Sequence, residues 1–599
     1  MRARVGPYGD SALVIDVDDV SSAHRVAAAI DRARRNGGPA GIAETVVGLT
    51  SVVVHVDGAD DGADDGADDG ADDGADDGAE RIERWLTDLI DAIDDGPWQS
   101  HPGEPGHGVH NRHMDIPVLF DGEDLDAVAA TIGGTTADVI ELLTGAELHV
   151  AFVGFAPGFP YLVGLPPELA AVPRRDTPRV AVPAGSVAVG GGFASVYPRA
   201  TPGGWHLLGH TSVQLFDPDR PPYALLRTGD TVRFTDLASL AVGDGSGAGT
   251  NGGGSRRVAP TAATGPPGPD LTRPRPPIPS RTGRFVEVLD PGMLSLIEDG
   301  GRRGVAAMGI PRAGPADPDA MRLANRLVGN PDGAAVVEAT TVGPTLRFAC
   351  DAHIAVVTPS SERQQVLVDG HPVVAGTVSP VQDGQVVTVG RVHGGLRAYV
   401  AVSGGFETPL VVGSRSTDLL SGLGPGPLAP GDRLDLGRPS RPRGQLMETL
   451  DPQARHRPNL IRVIEGPHPV PPGARDLFTS GPWSVGPASN RIGVRLTSRH
   501  RPPAPLEVRI PSTAMVTGAV QLPPDGDPII LLPDHATVGG YPVVACVIGA
   551  DLPIVGQLGP GDTLEFVSVD RATALRERAR RERELSERVT GWFPTAAGT

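Results

Sequence analysis

The sequence predicts a mainly β protein with α+β parts: three related β-barrel-like modules and an N-terminal β-α-β-α domain. Glycine (80) and proline (61) together exceed a fifth of the 599 residues, which is typical of short strands and many turns. A glycine pair followed by an aromatic residue occurs three times, as TPGGW (201–205), VSGGF (402–406) and TVGGY (537–541). Each copy precedes a Gly-Asp phrase, in LLRTGDTVRF, LAPGDRLDL and LGPGDTLEF. Such phrases are typical of a turn that leads into a strand, although chance recurrence among so many glycines is the alternative.

Residues 1–97 are predicted to form the β-α-β-α domain. ALVIDV and SVVVHV have strand-like composition, and SSAHRVAAAIDRARR indicates a helix that begins after a serine cap. RIERWLTDLIDAID places its apolar residues on one helical face. Between the second strand and this helix, GADD is repeated five times from Gly58 to Asp77. The segment 58–80 is expected to be a disordered loop because alanine is its largest apolar residue; calcium binding is a weaker alternative.

The rest of the chain divides into five segments. A barrel domain is expected over 110–238, followed by a Gly/Pro-rich linker over 239–283 that suggests a fusion of two proteins. Two further barrel modules are expected over 284–455 and 456–572. The last segment, 573–599, is expected to be an exposed helix, with Glu–Arg pairs at helical spacing, and a tail.

Composition excludes several classes of function. The formal net charge of −20 argues against a nucleic-acid partner. The sequence lacks an apolar run of membrane-spanning length and the apolar core of a secretion signal, so no membrane association and a cytoplasmic location are expected. Cys350 and Cys546 stand in apolar surroundings and are expected to be buried reduced thiols, with a disulfide or a catalytic cysteine as alternatives.

The sequence contains no lysine, so all 52 basic residues are arginines. The chain therefore cannot form a lysine Schiff base, carry covalently attached biotin or build a lysine-containing P-loop. Arginine side chains and backbone N–H groups must bind any phosphate or carboxylate.

Long motifs on both sides of the linker resemble one pair of families. GFAPGFPYLVGLP (154–166), PRVAVPAGSVAVGG (178–191) and YPRATPGGWHLLGHT (197–211) resemble the B subunit of 5-oxoprolinase, also called allophanate hydrolase subunit 1 or sporulation kinase inhibitor. EVLDPGMLSLIEDGGRRGVAAMGIPRAGPADPDAMRLANRLVGN (287–330) resembles the C subunit, also called allophanate hydrolase subunit 2, the kinase-inhibitor antagonist or biotin-dependent carboxyltransferase. GSRST (413–417), SNRIGVRL and GAVQLPPDGDPIILLPDHATVGGYP continue the second match.

The resemblance covers nearly all of the chain outside the GADD repeat, the linker and the tail, and it indicates a fusion of 5-oxoprolinase subunits B and C. It implies cyclophilin-like β-barrels, one in the first half and two in the second. It also implies ATP-dependent opening of 5-oxo-L-proline to L-glutamate together with a separate A subunit, with Mg²⁺ accompanying ATP. Such a site must hold a carboxylate, position phosphates and stabilise an oxyanion. A homo-oligomer is also expected.

Candidate binding residues of the first half lie in the family motifs. Arg179 could bind a carboxylate or a phosphate. Gly185 and Ser186 could offer backbone N–H groups and a hydroxyl to an anion, or PAGS could be only a tight turn. Phe155 and Trp205 could line a pocket or pack in the core.

In the second half, Asp299, Asp317 and Glu338 are the candidate catalytic residues. They could bind magnesium or activate water, or they could form structural ion pairs with arginines. No spacing identifies a nucleophile or a set of metal ligands. The candidate substrate- or nucleotide-binding residues of this half are Arg312, Asn325, Arg415, Asp534, Thr537 and Tyr541.

Two other functions are compatible with the same resemblance. The chain could be the carboxyltransferase component of a urea or amide carboxylase, with biotin carried on another protein. It could also be a binding protein that inhibits a histidine kinase. The family's usual serine and glutamine are replaced by Ala313 and Ala536, which leaves the substrate open.

Overall fold

A computed structural model gives a mainly β chain with few helices. The structure describes residues 2–56, 74–93, 112–239, 278–360, 364–442, 444–446, 459–470, 478–479, 481–497 and 510–591. The helices are Val20–Arg35, Gly74–Asp91, Leu125–Ile132, Thr136–Gly145, Pro167–Ala170, Pro318–Leu327, Leu552–Gly556 and Arg571–Glu587.

The N-terminal domain is a four-stranded antiparallel sheet with two helices. Its strands are β1 (Ala3–Pro7), β2 (Ala12–Val17), β3 (Ile42–Val47) and β4 (Ser51–Val56), in the order β1-β2-β4-β3. The predicted β-α-β-α order is therefore incomplete, because β1 and β3 were missed. Their sequences, ARVGP and IAETVV, interrupt the apolar pattern with glycine, proline or polar residues.

The second helix of this domain begins at Gly74, inside the segment 58–80 that was expected to be a disordered loop. That expectation is therefore wrong for its last residues. Residues 57–73, which include the first four copies of the repeat, lie outside the described ranges. The buried face of this helix, which includes Ile82, Leu86 and Ile90, packs in the core of the domain.

The first half continues with a seven-stranded sheet and a separate strand pair. The strands are β5 (His113–Val118), β6 (Leu148–Val153), β7 (Pro160–Val163), β8 (Arg179–Val182), β9 (Ser186–Gly190), β10 (Phe193–Val196), β11 (Thr201–Gly203), β12 (His206–His210) and β13 (Thr231–Asp236). The sheet has the order β12-β9-β10-β7-β6-β13-β5, in which β13 and β5 are parallel, and β11 pairs with β8. The helices Leu125–Ile132 and Thr136–Gly145 contribute Val128 and Leu143 to the core beneath the sheet.

The second half opens with two antiparallel sheets that share one core. The strands are β14 (Phe285–Asp290), β15 (Leu294–Glu298), β16 (Val336–Thr340), β17 (Thr345–Phe348), β18 (Ala352–Val357), β19 (Val366–Val368), β20 (His371–Val373), β21 (Val378–Val381), β22 (Val386–Val389), β23 (Arg397–Val402), β24 (Arg433–Asp435) and β25 (Gly444–Leu446). One sheet has the order β20-β19-β22-β17-β14-β24 and the other β15-β16-β23-β18-β21. Val286 and Leu346 of the first sheet join Val337 and Val400 of the second in a single buried cluster.

A closed barrel follows these sheets. The strands are β26 (Asn459–Glu465), β27 (Trp483–Val485), β28 (Gly493–Thr497), β29 (Thr513–Ala514), β30 (Ala519–Gln521), β31 (Ile529–Leu531), β32 (Val538–Gly539), β33 (Val543–Val547), β34 (Thr563–Ser568) and β35 (Val589–Gly591). The barrel has the order β26-β33-β30-β31-β28-β27-β34. Its first and last strands, β26 and β34, are parallel, as β5 and β13 are in the first half. The remaining strands form two short pairs, β29 with β32 and β25 with β35.

The three Gly-Asp phrases form the same turn. Gly229, Gly431 and Gly561 have φ values of +87°, +87° and +91°, a conformation that favours glycine. Each glycine N–H donates to a valine carbonyl at 2.7–2.9 Å. Each turn leads directly into a strand, β13, β24 or β34. The prediction of a turn followed by a strand is therefore confirmed in all three copies.

The three glycine-pair motifs do not form one structure. The pairs in TPGGW and TVGGY precede β12 and β33, whereas Gly404 and Gly405 follow β23 and both have positive φ. Trp205 and Phe406 are buried, but Tyr541 is 42% exposed. A strand therefore follows the glycine pair closely in the first and last copies but not in the middle one. A mainly β chain with barrel-like sheets is confirmed, and the number of cyclophilin-like modules stays a prediction.

The two halves contact each other directly. The backbone N–H of Gly158 donates to the carbonyl of Met308 at 2.9 Å. A Cβ on Gly154 would lie 2.4 Å from Val538 Cγ2, so the close approach requires glycine. The end of the predicted linker (239–283) is also attached to the second half, because Ser280 Oγ donates a hydrogen bond to Asp435 at 2.6 Å.

The C-terminal helix Arg571–Glu587 is not the exposed helix that its sequence predicts. Ala574 and Leu585 are buried. Its ion pairs reach the N-terminal domain, the first part of the second half and the barrel. They are Arg571–Glu83, Arg581–Asp319, Arg322–Glu582 and Arg462–Glu577. The Glu and Arg side chains therefore join domains rather than only pairing along the helix.

Among the described residues, no single helix has the length and apolar composition of a membrane span. The bent pair Leu125–Ile132 and Thr136–Gly145 passes on those two criteria together, with an angle of 87° between its helices. The cytoplasmic location stays a prediction. Cys546 is buried and Cys350 is half-buried, and both are free thiols.

Candidate active site

Five buried charged side chains, which we call the Arg491 network, lie where the two parts of the second half meet. The first part supplies Glu298 at the end of β15, Glu338 on β16 and Arg397 on β23. The barrel supplies Arg491 just before β28 and Asp534 just after β31. Each of these residues is at most 3% exposed. Charges buried this deeply need partners inside the protein.

Arg491 is the centre of this network. Its Nε and Nη2 donate to the two carboxylate oxygens of Asp534, each at 3.0 Å. Its Nη1 donates to Glu338 Oε1 at 2.5 Å, and Nη2 also donates to the carbonyl of Gly314 at 2.5 Å. The bidentate pair with Asp534 fixes the plane of the guanidinium. The carboxylate of the candidate binding residue Asp534 is therefore already paired with an arginine of the same chain.

Glu338 is paired on both oxygens. Oε1 also lies 3.2 Å from Arg397 Nε, while Oε2 accepts hydrogen bonds from Tyr399 OH at 2.8 Å and from the N–H of Ala316 at 2.9 Å. Burial opposes ionisation, but Arg491 and Arg397 lower the pKa of Glu338 overall. These contacts favour the structural ion pair over a catalytic role for this residue.

Asp317 begins the helix Pro318–Leu327 as its N-cap. Its carboxylate accepts hydrogen bonds from the N–H of Ala320 at 3.0 Å and from Gln557 Nε2 at 2.8 Å. Burial, reinforced by the charge of Asp319, raises the pKa of Asp317 to about 6. The group is therefore a helix cap that titrates near neutral pH.

Asp299 holds the GSRST segment (413–417) in place through hydrogen bonds. Its carboxylate accepts hydrogen bonds from the hydroxyls of Ser414 and Ser416 and from the backbone N–H groups of Gly301 and Arg415. The Arg415 side chain pairs with Glu407 on the surface. Asp299 and Arg415, which both lie in family motifs, are therefore in contact. The contact is made by the backbone N–H of Arg415 and not by its guanidinium group.

The other candidates of the second half are scattered. Asn325 is buried and donates to the carbonyls of Asp332 at 3.1 Å and Ala334 at 2.7 Å, which holds a loop. Arg312 and Tyr541 are exposed. Thr537 is buried, and its Oγ1 has no hydrogen-bond partner within the described residues. It lies near Gly154, at the contact between the halves.

The anion-binding candidates of the first half are occupied by the protein itself. Arg179 pairs with Asp124 at 2.9 Å and with Glu123 at 2.6 Å. The N–H of Gly185 donates to a carbonyl at 2.7 Å, and the N–H of Ser186 closes a turn at 3.4 Å. The contacts of PAGS are those of a tight turn, which was the alternative interpretation.

Phe155 and Trp205 belong to an aromatic core. Trp205 is 5% exposed and packs edge-on against Phe159 and Tyr161, with ring centroids 5.6 and 5.7 Å apart. Phe155 is half-buried, has a φ of +66° and contacts Phe159. Trp205 therefore packs in the core, whereas Phe155 stays partly accessible near the contact between the halves.

Glu298 was missed by the sequence analysis. Its Oε1 lies 3.3 Å from Arg491 Nη2, yet neither carboxyl oxygen accepts a hydrogen bond within the described residues. Burial, with the charges of Glu338 and Asp534, raises the pKa of Glu298 well above its ordinary value despite Arg491. The available signal was an acidic residue that ends the apolar strand LSLIE.

Three further charged side chains, Arg199 of the first half and Arg302 and Asp418 of the second, were also missed. We call them the junction group. Arg302 and Asp418 are each 1% exposed, and Arg199 is half-buried. Each has at least one buried polar atom that lacks a hydrogen-bond partner within the described residues. Unpartnered polar groups of this kind are uncommon in protein interiors.

Comparison with known sequences identifies the family to which the chain belongs. A model of the carboxyltransferase domain, subdomain C and D, matches residues 3–226, and one of the carboxyltransferase domain, subdomain A and B, matches 308–568. Over 308 residues the chain is 35% identical to the C subunit of 5-oxoprolinase from Escherichia coli (strain K12), a match that covers 51% of this chain and 97% of that protein. The chain belongs to the family of 5-oxoprolinase subunits B and C. The fused B–C chain is also 48% identical over 158 residues to the 5-oxoprolinase B subunit of Escherichia coli O157:H7, covering 26% of this chain and 65% of that one.

The B–C arrangement also occurs in a solved structure. The crystal structure of TTHA0988 covers 95% of this chain and all of its own, with 30% identity and a TM-score of 0.72. About half of the B–C chain is also related to a much larger protein. It is 33% identical over 319 residues to urea amidolyase of Lachancea kluyveri, covering 48% of this chain but only 17% of that protein.

Proposed function

We propose that this chain is the B–C component of an ATP-dependent 5-oxoprolinase, which converts 5-oxo-L-proline to L-glutamate together with a separate A subunit. One observation carries the proposal: parts similar to the B and C subunits of 5-oxoprolinase pack together, and buried polar groups without partners lie where they meet. A site built from both parts accounts for their presence in one chain.

The proposed chemistry assigns new roles to the acidic residues. A lactam is a poor electrophile, and phosphorylation of its oxygen supplies a leaving group. Glu298, whose pKa burial raises well above its ordinary value, is proposed to handle a proton during ring opening, because Oε1 lies beside Arg491 at 3.3 Å and neither oxygen accepts a geometric hydrogen bond within the described residues. Asp299, Asp317 and Glu338 are proposed to hold the surrounding segments in position.

ATP with its Mg²⁺ enters this proposal as a co-substrate. Within the described residues no group of three or more His, Cys, Asp or Glu side chains could hold a metal ion. We therefore assign no metal ligand to this chain and write Mg²⁺ as part of the nucleotide.

The test is a reconstituted reaction. The chain is mixed with its cognate A subunit, ATP, Mg²⁺ and 5-oxo-L-proline, and glutamate and ADP are measured. Both products should form together, and neither half of the system should form glutamate alone. Folded protein that yields no glutamate under these conditions would contradict the proposal.

A second candidate is a carboxyltransferase that acts on urea or a related amide. The match to urea amidolyase over about half of the chain favours it. Because this sequence has no lysine, biotin would have to be carried on another protein. Transfer of carboxyl from a separate carboxybiotin protein to urea, with no ATP-dependent release of glutamate, would select this alternative.

A further inference from the structure

The Arg491 network contains more acidic groups than basic ones. Its two guanidinium groups, of Arg491 and Arg397, face three carboxyl groups, of Glu298, Glu338 and Asp534. An arginine in a protein is effectively always protonated. Full ionisation of the carboxyl groups would therefore leave one unbalanced negative charge among residues that are at most 3% exposed. Such a charge is costly, and buried acids bind a proton instead.

The three carboxyl groups of the network share one cation. Arg491 Nη2 lies 3.0 Å from Asp534 Oδ1 and 3.3 Å from Glu298 Oε1. Arg491 Nη1 lies 2.5 Å from Glu338 Oε1. Carboxyl groups that surround one charge in this way do not titrate independently, because ionisation of one raises the cost of ionising the next. The proton that restores neutrality therefore belongs to the network as a whole, and the hydrogen bonds decide where it lies.

Glu298 is the weakest partner of Arg491. The two hydrogens of Arg491 Nη2 are donated to Asp534 Oδ1 at 3.0 Å and to the carbonyl of Gly314 at 2.5 Å, so none remains for Glu298. Glu338 accepts three hydrogen bonds and Asp534 two, whereas Glu298 accepts none within the described residues. Burial raises the pKa of Glu298 well above its ordinary value and that of Asp534 to about 6, which is the same order.

The charged groups beside the network do not supply the missing positive charge. They are two arginines and two aspartates: Arg302, Arg199, Asp299 and Asp418. These four charges balance one another, and of them the charge of Arg302 acts on Glu298 itself. The hydroxyl of Ser416, which also faces Glu298, donates to Asp299 at 2.7 Å. The excess of one acidic group in the network therefore remains.

We propose that the Arg491 network holds one proton, which lies on Glu298 and is kept there by the negative charge of Asp534 on the shared Arg491. Asp534 is thus a positioning residue, since it acts on Glu298 through the guanidinium group that both approach. The inference deepens the proposed function and rests on it for the use of Glu298 in the reaction. The presence of the proton itself follows from the charges and distances of the network and does not depend on the reaction.

Infrared spectroscopy of the full-length chain detects this proton without catalysis, because the carbonyl stretch of a protonated carboxyl group is separate from the bands of a carboxylate. Difference spectra at pH 8, the unaltered chain minus a variant, cancel the signals of the other acids. Asp317, whose pKa burial raises to about 6, is ionised at this pH. Glu298→Gln should remove the band of one protonated carboxyl group. A difference spectrum without this band would overturn the proposal.

Variants at the other carboxyl groups distinguish a proton that the network requires from a Glu298 that burial alone keeps protonated. Asp534→Asn leaves two carboxyl groups facing two arginines, so Glu298 should ionise and the same band should be lost. Glu338→Gln should have the same effect. The matched control is Asp432→Asn, at a buried acid of the same half that accepts backbone N–H groups, and it should keep the band. A band that persists in folded Asp534→Asn, or that the control also loses, would overturn the proposal.

Removal of a cation tests the same balance in the opposite direction. Arg397→Gln leaves three carboxyl groups facing one arginine, so a second protonated carboxyl band should appear at pH 8. This variant decides if Asp534→Asn and Glu338→Gln fail to fold. An unchanged carboxyl band in folded Arg397→Gln would overturn the proposal.

The pH dependence of the reconstituted reaction tests Asp534 as a positioning residue. Loss of its negative charge favours the ionised form of Glu298, so Asp534→Asn should move the high-pH limb of glutamate formation down by about one pH unit or more. A limb at unchanged pH would overturn this role of Asp534, because a merely structural effect lowers the rate equally at every pH.

The two proposals fail separately. The expected infrared pattern without ATP-dependent glutamate formation would retain the proton and reject the proposed function. Glutamate formation with a band that persists in Asp534→Asn would retain the proposed function and reject the shared proton.

Discussion

The Arg491 network and the junction group both contain buried charges, but the network has a central arginine bonded to several partners, whereas the junction group has no such centre. In the network, Arg491 is bonded to Asp534, Glu338 and a carbonyl. In the junction group, Arg302 Nη1 and Asp418 Oδ2 have no partner within the described residues. Burial and charge alone therefore do not identify a binding site. Groups that the fold fixes and leaves unpaired are the better indication.

The largest expected effect is on the network. Arg491→Met leaves Glu338 and Asp534 buried without their shared cation, so we expect the free energy of unfolding to fall by about 3–5 kcal/mol. Chemical denaturation of the wild-type chain and the variant measures this change in the free energy of unfolding. Arg495→Met, on the exposed side of the adjoining strand β28, is the matched control and should change stability by less than about 0.5 kcal/mol. Equal losses of unfolding free energy in the Arg491 and Arg495 variants would mean that the Arg491 network does not stabilise the fold more than a surface arginine does.

The next prediction separates two glutamates of the network. Glu338→Gln removes an ionised group and should cost about 1.5–3 kcal/mol of unfolding free energy. Burial raises the pKa of the Glu298 carboxyl well above its ordinary value, so Glu298→Gln, which puts a neutral group of similar shape there, should change stability less than Glu338→Gln does. In the reconstituted reaction Glu298→Gln should lower glutamate formation about 100-fold. Full activity of this variant would remove Glu298 from the proposed chemistry.

A smaller effect depends on pH. The pKa of Asp317 is raised to about 6, so the folded protein binds its proton more tightly than the unfolded chain does. This contribution to stability is present at acid pH and is lost as the pH rises through about 6. It should amount to about 1 kcal/mol between pH 5 and pH 7. Asp317→Asn, measured by denaturation at both pH values, should lose that difference, and a variant that keeps it would assign the titration to another group.

The smallest expected effect is at Tyr541. Its side chain is 42% exposed, so water satisfies its hydroxyl. Tyr541→Phe should change the free energy of unfolding by less than about 0.5 kcal/mol and leave 5-oxo-L-proline binding unchanged. A loss of binding would place this residue in the site, as its motif suggested, and would weaken the rule that unpaired groups matter only when they are buried.

Local signals were predictable from the sequence. The Gly-Asp phrase forms one turn in all three copies because the positive φ at Gly229, Gly431 and Gly561 is a property of the turn itself. The glycine pairs did not share one structure, because their role depends on what packs against them. The strand β1 was missed because glycine and proline interrupt its pattern.

The site depends on tertiary partners and was only partly predictable. Glu338 and Asp534 were selected, and the structure brings them together through Arg491, which was not selected. Arg199 and Asp418 lie more than 200 residues apart in the sequence, and no spacing rule connects them. A carboxylate that will be paired looks the same in the sequence as one that will not.

The C-terminal helix, which belongs to the second half, contacts the N-terminal domain through the salt bridge between Arg571 and Glu83. Proteolysis within 240–277 would remove the covalent connection but leave these contacts in place. The two fragments should then copurify as a non-covalent heterodimer. Joining the two genes, in this view, guarantees equal amounts of two polypeptides that already recognise one another.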